Sequence, residues 1–228
     1  MKTFGGYTSW LAWLAGKALP VTLFTLLVIL GTQHLSREVV QLAYDGLRLY
    51  PVMEVLRRCL MLGFLLLVVA AYLTRTHALA QARGFWERAF PMVVLLATII
   101  AMSFLGHAAA PHRLDLAGAG LPLTLLGFGI SLWALWHLRG SFAIMAEARP
   151  PVTSGPYQYV RHPLYLGEML SMLGFCLMIG SAIGLLFWVA LTGMQLTRAR
   201  IEEAKLAGQF DDYRAYRQRT RFFLPGLY

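Results

Sequence analysis

Long apolar runs are the feature that most constrains how this chain can fold. Six runs approach the length of about 20 residues that a helix needs to cross a bilayer. They cover residues 18–34, 59–74, 89–107, 116–138, 163–179 and 181–197. Only 14% of the 228 residues are charged, whereas a soluble domain usually carries about 25%. The pattern predicts an all-α, polytopic membrane protein with about six transmembrane helices.

The spacing of the last two runs predicts a tight helical hairpin near the C-terminus. Only Gly180 and Ser181 lie between the two helices. Gly180 and Gly184 form a GxxxG spacing, which would let the helices approach closely. Further upstream, residues 36–58 mix aromatic and charged side chains, and we expect that segment to lie along the membrane interface.

Neither the cysteines nor the glycine motifs indicate a soluble cofactor domain or a metal site. Cys59 and Cys176 lie in separate apolar runs, without a CxxC spacing or a Cys/His cluster. The glycines at 118–120 and 127–129 follow no strand, so they fit helix packing better than dinucleotide binding. A net charge of +9 does not indicate a nucleic-acid partner either, because no soluble domain is available to present a groove-reading element.

The basic residues indicate how the predicted spans are oriented. If both termini lie in the cytoplasm, 15 of the 20 Lys and Arg residues face the cytoplasm and five face the other side, as the positive-inside rule requires. Seven of those 15 lie beyond residue 195, in a tail that would rest near anionic headgroups. This topology also brings residues 139–162 and the C-terminal tail to the same side of the membrane.

The stretch GPYQYVRHPLYLGE, residues 155–168, concentrates polar and aromatic side chains beside an apolar run. These side chains are Tyr157, Tyr159, Arg161, His162, Tyr165 and Glu168. Pro163 suits the first turn of a helix, where its missing N–H costs nothing. Helical spacing then places His162 near Tyr165, with Glu168 one turn further. An interfacial belt of tyrosines with snorkelling Arg and His is the alternative, but it does not explain their density beside a helix-starting proline.

A second polar cluster, TRARIEEAKL at residues 197–206, stands where the last apolar run becomes charged. Arg198 and Glu202 share one face of a helix, and Glu203 lies about 100° further round. Considered alone, the cluster fits a solvated helix with ordinary ion pairs. Because the topology brings it to the first cluster, the two together offer cations, carboxylates and aromatic faces. Such a set suits a zwitterionic nucleoside such as S-adenosylmethionine, because aromatic rings could stabilise its sulfonium group. Composition alone does not name the ligand.

The order and separation of these motifs resemble a known family. VTSGPYQYVRHPLYLG at residues 152–167 precedes R-x-x-x-E-E-x-x-L at 198–206, F-x-x-Y-x-x-Y at 210–216 and a closing Leu-Pro at 224–225. They resemble the isoprenylcysteine carboxyl methyltransferase family and the wider group that includes phospholipid N-methyltransferases. The match covers roughly residues 139–228, whereas residues 1–135 match only as generic membrane spans.

The resemblance implies an S-adenosylmethionine-dependent membrane methyltransferase with a lipophilic acceptor and a cofactor pocket on the cytosolic side. It implies a methyltransferase core at 139–228 and, at 1–138, transmembrane helices that could form an acceptor tunnel. We expect an integral protein of a bacterial inner membrane, with both termini in the cytoplasm and membrane lipids as partners.

The resemblance also implies roles for individual residues. Cofactor-binding roles fall on Val152, Tyr157, His162, Pro163, Leu164, Tyr165 and Glu202. Arg198 is implied to act on the acceptor's carboxylate. Glu168 departs from the eukaryotic carboxyl methyltransferases, which have an aromatic residue there, so the acceptor chemistry could differ at this position. A carboxylate acceptor needs no base, whereas an amine must lose a proton, for which Glu168 or His162 would be a general base.

Two further classes of function remain open from the sequence. Membrane sterol reductases share a related C-terminal hairpin with an RHPxY-like element and bind NADPH, but the R-x-x-x-E-E helix favours a methyltransferase. A non-enzymatic membrane scaffold would use its basic tail to bind anionic lipid. That interpretation does not explain the carboxylate pair that interrupts the tail.

Overall fold

The computed structural model describes residues 17–46, 48–74, 82, 84–107, 116–144 and 149–223. Seven α-helices form in these residues, six of them long and the last one short. They are α1 Leu19–Asp45, α2 Leu49–Thr74, α3 Gly84–His107, α4 Ala117–Leu138, α5 Pro163–Ile179, α6 Ala182–Gln209 and α7 Asp211–Arg219. Short 3-10 helices cover Arg139–Ser141 and Gly155–Gln158. No strand forms in the described residues, so the predicted all-α class is confirmed.

Three of the helical segments are long and apolar enough to cross a bilayer: Leu19–Tyr44, Gly118–Ser141 and Ala182–Gln209. Shorter apolar helical segments cover Ala89–Ile100 and Pro163–Ile179. The chain is therefore an integral membrane protein. Of the basic residues counted for its orientation, Lys2, Arg75, Arg83 and Arg113 lie outside the described residues, as does the closing Leu-Pro at 224–225.

The first two helices are longer than the apolar runs predicted, because residues 36–58 belong to these helices and to the turn between them. Their two parts extend α1 and α2 toward a turn at Gly46, whose φ of 78° favours glycine. Charged side chains in these extensions pair with one another, as Arg58 Nε does with Glu38 Oε1 at 2.9 Å. Such pairing compensates the polarity that made the segment look interfacial.

Helices α4 and α5 pack against each other through their glycines. A Cβ at Gly120 would lie 2.6 Å from the backbone oxygen of Gly174, and a Cβ at Gly127 would collide with the backbone of Ser171. A Cβ at Gly184 would meet Cys176 only at an ordinary 3.6 Å. The packing role predicted for the 118–129 glycines is therefore confirmed at these two positions. The expectation of an unusually close approach at the GxxxG of 180–184 is wrong.

The predicted hairpin between α5 and α6 is confirmed, and its ends have clear local causes. Pro163 occupies the first turn of α5, and the α5 helix ends at Gly180, which adopts the left-handed conformation with φ of 69°. Ser181 then caps α6 by accepting a hydrogen bond from the backbone N–H of Gly184. The hairpin brings the N-terminal end of α5 beside the C-terminal half of α6.

The connection from α4 to α5 is anchored on other parts of the chain. The backbone N–H of Ile144 donates to the Tyr72 hydroxyl at 3.0 Å, and the Tyr72 ring meets Phe142 edge-on at 5.6 Å. Further along, Val160 pairs with Arg221 in an isolated parallel bridge. An α2 residue and the C-terminal segment thus fix the connection that carries the first polar cluster.

Candidate active site

A cavity lies between the α4–α5 connection, the start of α5, the C-terminal end of α6 and the short helix α7. Its enclosed part has a volume of about 110 Å³, and the space out to its open mouth is about 830 Å³. The lining combines apolar residues, among them Leu138, Phe142 and Val152, with polar residues such as Glu202, Lys205 and Tyr216. The two polar clusters of the sequence therefore meet here.

Most of the predicted site residues line this cavity. They are Val152, Tyr157, His162, Leu164, Tyr165 and Glu202. Pro163 is buried at the start of α5, where it fixes the first turn of the helix and does not line the cavity. Arg198 and Glu168 are not among the lining residues.

Glu202 is bound on one of its two oxygens. The Tyr165 hydroxyl donates a hydrogen bond to Glu202 Oε1, and Arg198 Nε donates to the same oxygen at 3.3 Å. The Arg198 guanidinium also lies over the Tyr165 ring, 4.9 Å from its centre, and its Nη2 donates to the Ile144 carbonyl at 2.9 Å. Because both side-chain bonds use Oε1, Oε2 is the oxygen best placed to meet a ligand.

Glu203, next in sequence, faces away from the cavity and holds the first cluster together. Its Oε1 accepts from Arg161 Nε at 2.5 Å and lies 3.2 Å from His162 Nε2. Its Oε2 lies 3.5 Å from Arg217 Nε. A carboxylate only accepts hydrogen bonds, so Nε2 of His162 is the donor in this contact. The sequence motifs assign Glu203 no role, although its position about 100° from Glu202 on the helix was the available signal.

Aromatic rings surround His162 and give the cavity a flat wall. The His162 and Tyr165 rings stack at 5.6 Å with 8° between their planes, which confirms the predicted proximity. Phe222 meets His162 edge-on at 5.0 Å. Nearly parallel rings of this kind offer flat faces to a planar ligand.

Three tyrosines outside the long helices, Tyr157, Tyr213 and Tyr216, also line the cavity. The Tyr216 hydroxyl donates to the Tyr157 carbonyl at 2.6 Å, and the Tyr213 and Tyr216 rings lie 5.6 Å apart. Burial raises the pKa of Tyr157 and of Tyr213 well above the ordinary value, and burial raises the pKa of Tyr216 to about 12. All three therefore remain neutral phenols near pH 7. Tyr213 and Tyr216 belong to the F-x-x-Y-x-x-Y motif, but the sequence did not assign them to the site.

Three lining residues carry positive charge, namely Arg149, Arg161 and Lys205, and the last of them connects the cavity to α3. Arg149 is buried, with 4% of its surface exposed. Lys205 Nζ lies 2.5 Å from Glu87 Oε2 at the start of α3. Together with Tyr72 of α2, this contact shows that residues from the N-terminal half support the site, which the sequence motifs did not indicate.

Glu168 lies within α5, about 7.5 Å along the helix axis from Pro163. Gln195 Nε2 donates to its Oε2 at 2.6 Å. Gln195 is 7% exposed, and its Oε1 has no hydrogen-bond partner among the described residues, nor has the hydroxyl of Thr192 one turn earlier. Gln195 was not predicted as a site residue, although a glutamine inside an apolar run was a signal in the sequence.

Comparison with known proteins agrees with the motifs. Residues 116–212 match the family model for phospholipid methyltransferases. The chain is 30% identical to the cobalt-zinc-cadmium resistance protein CzcN of Cupriavidus metallidurans over 141 residues, which are 59% of this chain and 62% of that protein. It is 38% identical to the protein-S-isoprenylcysteine O-methyltransferase of Schizosaccharomyces pombe over 76 residues, 32% of each chain.

The matches extend the resemblance but do not span whole relatives. The chain covers less than two thirds of the length of either protein. The family match includes α4, α5, α6 and the first two residues of α7, so it contains both polar clusters and the glycine-packed helices that hold them. The resemblance of this chain to the isoprenylcysteine and phospholipid membrane methyltransferases is thereby confirmed.

Proposed function

We propose that this protein is an S-adenosylmethionine-dependent integral membrane methyltransferase that acts on a lipophilic acceptor. The observation that carries the proposal is the convergence of Tyr157, His162, Tyr165 and Glu202 on one cavity. These residues come from a loop and two helices, and they are the ones to which the family resemblance gives cofactor contacts. The family match over 116–212 supports the same activity.

The chemistry of the lining fits the proposed cofactor. S-adenosylmethionine has a sulfonium, an ammonium, a carboxylate, ribose hydroxyls and an adenine ring, and when bound it supplies an activated methyl group. Neutral aromatic faces at Tyr157 and Tyr165 suit a cation. Oε2 of Glu202 would accept from an ammonium or hydroxyl, and Arg149 and Lys205 would attract a carboxylate. Val152, His162 and Leu164 would shape the remaining wall, while Pro163 fixes the helix end behind it.

The acceptor side of the site would lie along the hairpin, where Arg198 and Glu168 are located. Arg198 is buried and supported by Ile144, Glu202 and the Tyr165 ring, so its direction is fixed. A carboxylate acceptor would be oriented by the remaining N–H donors of Arg198. Alignment of donor and acceptor inside a closed site lowers a reaction barrier by about 7–11 kcal/mol, and these residues would contribute by positioning alone.

A second candidate, methylation of a lipid-borne amine, is favoured by the Glu168–Gln195 pair. Glu168 and the unpartnered Gln195 Oε1 are both acceptors, which matches a group that donates N–H bonds. Glu168 would take the proton that an ammonium must lose before its nitrogen attacks. His162 is less suited to this role, because its Nε2 is already engaged by Glu203.

Substitution of Glu168 by Gln distinguishes the two acceptors. Glu168→Gln keeps the size of the side chain but removes the base, so we expect methylation of an aminolipid to be severely impaired and methylation of a carboxylate to be retained. Turnover with labelled cofactor and each acceptor class measures the difference. Normal turnover of an aminolipid by this variant would eliminate Glu168 as the base.

We further propose that all six long helices cross the membrane and that both termini lie in the cytoplasm. The site-bearing parts come from the end of α2, the start of α3, the α4–α5 connection and the end of α6, as expected when successive helices alternate in direction. The charge count supports a cytoplasmic location for that end. In this arrangement residues 139–228 form the methyltransferase core, residues 1–138 supply spans toward an acceptor tunnel, and a bacterial inner membrane is the proposed location.

One experiment tests the central proposal. Purified protein in detergent is incubated with methyl-labelled S-adenosylmethionine and a lipid extract of the host, and labelled products are identified by mass. Binding of S-adenosylhomocysteine and of NADPH is measured on the same sample, because the reductase alternative requires the second ligand. Absence of transfer to any lipid or prenyl-cysteine compound, together with NADPH binding, would reject the proposal. A scaffold would bind neither nucleotide.

A further inference from the structure

A second cleft lies on the other side of Glu203 from the cavity. It is open, with a volume of about 1,430 Å³ including its mouth. Its charged lining residues are Arg161, Arg200, Glu203, Arg214, Arg217 and Arg221. The cleft belongs to the ends of α6 and α7 and to the segment that follows α7, and apart from Arg161 it shares no lining residue with the cavity.

The charge of this cleft is strongly unbalanced. Five arginines and one glutamate give its lining a formal excess of four positive charges. Glu203 is already used on both oxygens, by Arg161 and His162 on one and by Arg217 on the other. Its carboxylate therefore does not compensate Arg200 and Arg214, which are exposed on neighbouring helices. Guanidinium groups that face one opening repel each other unless an anion lies between them.

The geometry of the cleft suits a phosphate group. Guanidinium groups form paired hydrogen bonds with phosphate oxygens, and arginines here come from two helices and from the segment after α7. Phe222 forms an apolar edge over which Arg161 lies, 5.5 Å from the ring centre. A site with one apolar edge and several guanidinium groups matches a phosphate that is attached to a lipid better than a small solvated ion.

The position of the cleft in the chain indicates where such a phosphate would come from. Arg161 lies two residues before the first residue of α5, and Arg200 lies in the last third of the span-length helix α6. From these points toward the hairpin turn, both helices are mainly apolar, with Glu168 in α5 and Arg198 in α6 as charged residues. The ends of membrane-spanning helices lie at headgroup depth, where basic clusters attract anionic lipids.

We infer that the cleft lined by Arg200, Arg214, Arg217 and Arg221 binds the phosphate-bearing headgroup of an anionic membrane lipid. The lipid in this site is separate from the methyl acceptor and from the cofactor. Because Glu203 links Arg217 of the cleft to His162 of the cavity, a bound headgroup would stabilise the wall that the two sites share.

Retention of lipid by the full-length protein tests this inference without any methyl donor. The protein is purified in detergent, incubated with equal amounts of phosphatidylglycerol and phosphatidylcholine, and the bound lipids are counted by native mass spectrometry. We expect preferential binding of phosphatidylglycerol. The affinity of the double variant Arg200→Gln/Arg214→Gln for phosphatidylglycerol should fall about tenfold or more. Each surface arginine contributes roughly 1 kcal/mol to the attraction of an anionic lipid.

A matched variant separates a built site from general attraction. Arg219→Gln/Arg37→Gln loses the same two charges at exposed positions that do not line the cleft, and we expect its affinity for phosphatidylglycerol to change by less than about twofold. Equal losses in the two double variants would overturn the inference. Full displacement of the lipid by millimolar inorganic phosphate would overturn it as well, because the site would then be one for a free anion. Thermal unfolding verifies that both variants are folded.

The outcome of this experiment is independent of the proposed methyltransferase activity. Arg200 and Arg214 do not line the cavity, so loss of lipid binding with normal binding of S-adenosylhomocysteine would support the inference alone. Normal lipid retention in the Arg200→Gln/Arg214→Gln variant would reject it, whatever the activity of the protein.

Discussion

Charged residues occur in both halves of this apolar chain, but they are connected differently. In the α1–α2 hairpin, Arg57 bonds Glu54 one turn away and Arg58 bonds Glu38 of the neighbouring helix. At the end of the α5–α6 hairpin, Glu203 alone contacts two residues that precede α5 and one residue of α7. A pair within one hairpin stabilises that hairpin, whereas contacts from three elements fix the shape of a cavity. Convergence of elements, rather than density of charge, therefore distinguishes the candidate site.

The largest expected difference between the two regions is in stability. Glu203→Gln leaves Arg161 and His162 without a carboxylate in a buried setting, so we expect the free energy of unfolding to fall by about 3–5 kcal/mol. Arg58→Gln, in the α1–α2 hairpin, breaks a pair whose side chains are 25% and 23% exposed, and should cost less than about 1 kcal/mol. Denaturant titration of both variants in detergent measures the two values. Similar losses would show that the two networks are equivalent.

Affinity for S-adenosylhomocysteine, the product of the proposed cofactor, should also differ strongly between variants of the cavity and variants of the α1–α2 hairpin. Glu202→Gln removes a charged acceptor from the cavity, so affinity for S-adenosylhomocysteine should fall about 10–100-fold, as expected for a hydrogen bond to a charged group. Glu54→Gln makes the same chemical change in the α1–α2 hairpin and should leave that affinity unchanged. Isothermal titration calorimetry gives both numbers. An unaffected Glu202→Gln variant would remove Glu202 from the proposed cofactor site.

The glycines provide a third comparison, because the space around them differs. A Cβ at Gly127 would collide with the α5 backbone, whereas a Cβ at Gly31 would meet the flexible Leu62 side chain. We expect Gly127→Ala to lower the free energy of unfolding by about 1–3 kcal/mol and Gly31→Ala to be close to neutral. Gly129→Ala is a control on the same helix, since a Cβ there meets nothing within 4 Å. Thermal unfolding measures the three variants. Equal destabilisation by Gly129→Ala and Gly127→Ala would contradict a close backbone contact between α4 and α5 at Gly127.

Local signals in the sequence were sufficient for part of this fold. Pro163 and Gly180 mark both ends of α5, and the predicted helix agrees with the observed one at each end. Both residues act through their own backbone, which a sequence displays directly. The meeting of the two polar clusters was also predictable, because alternation of spans places both at one end.

The remaining features depend on which helix faces meet, and a sequence does not fix that. Glu202 and Glu203 are adjacent and chemically identical, but only the rotation of α6 against α5 decides which one lines the cavity. Tyr72 and Glu87 contribute through long-range contacts that no local pattern indicates. The apolar runs did not indicate that residues 36–58 continue both helices, because the contact between Arg58 and Glu38 joins residues 20 positions apart.

The smallest expected effect concerns a hydroxyl group at the edge of the cavity. Tyr216→Phe removes the bond from the Tyr216 hydroxyl to the Tyr157 carbonyl, which holds the connection before α5 against α7. A neutral hydrogen bond contributes about 1 kcal/mol, so affinity for S-adenosylhomocysteine should fall roughly fivefold with the aromatic wall retained. Tyr44→Phe changes a tyrosine of α1 that is 86% exposed and should have no effect on calorimetric binding. If both variants bind like the unchanged protein, α7 closes the cavity through its rings alone, and the hydroxyl is dispensable for the proposed site.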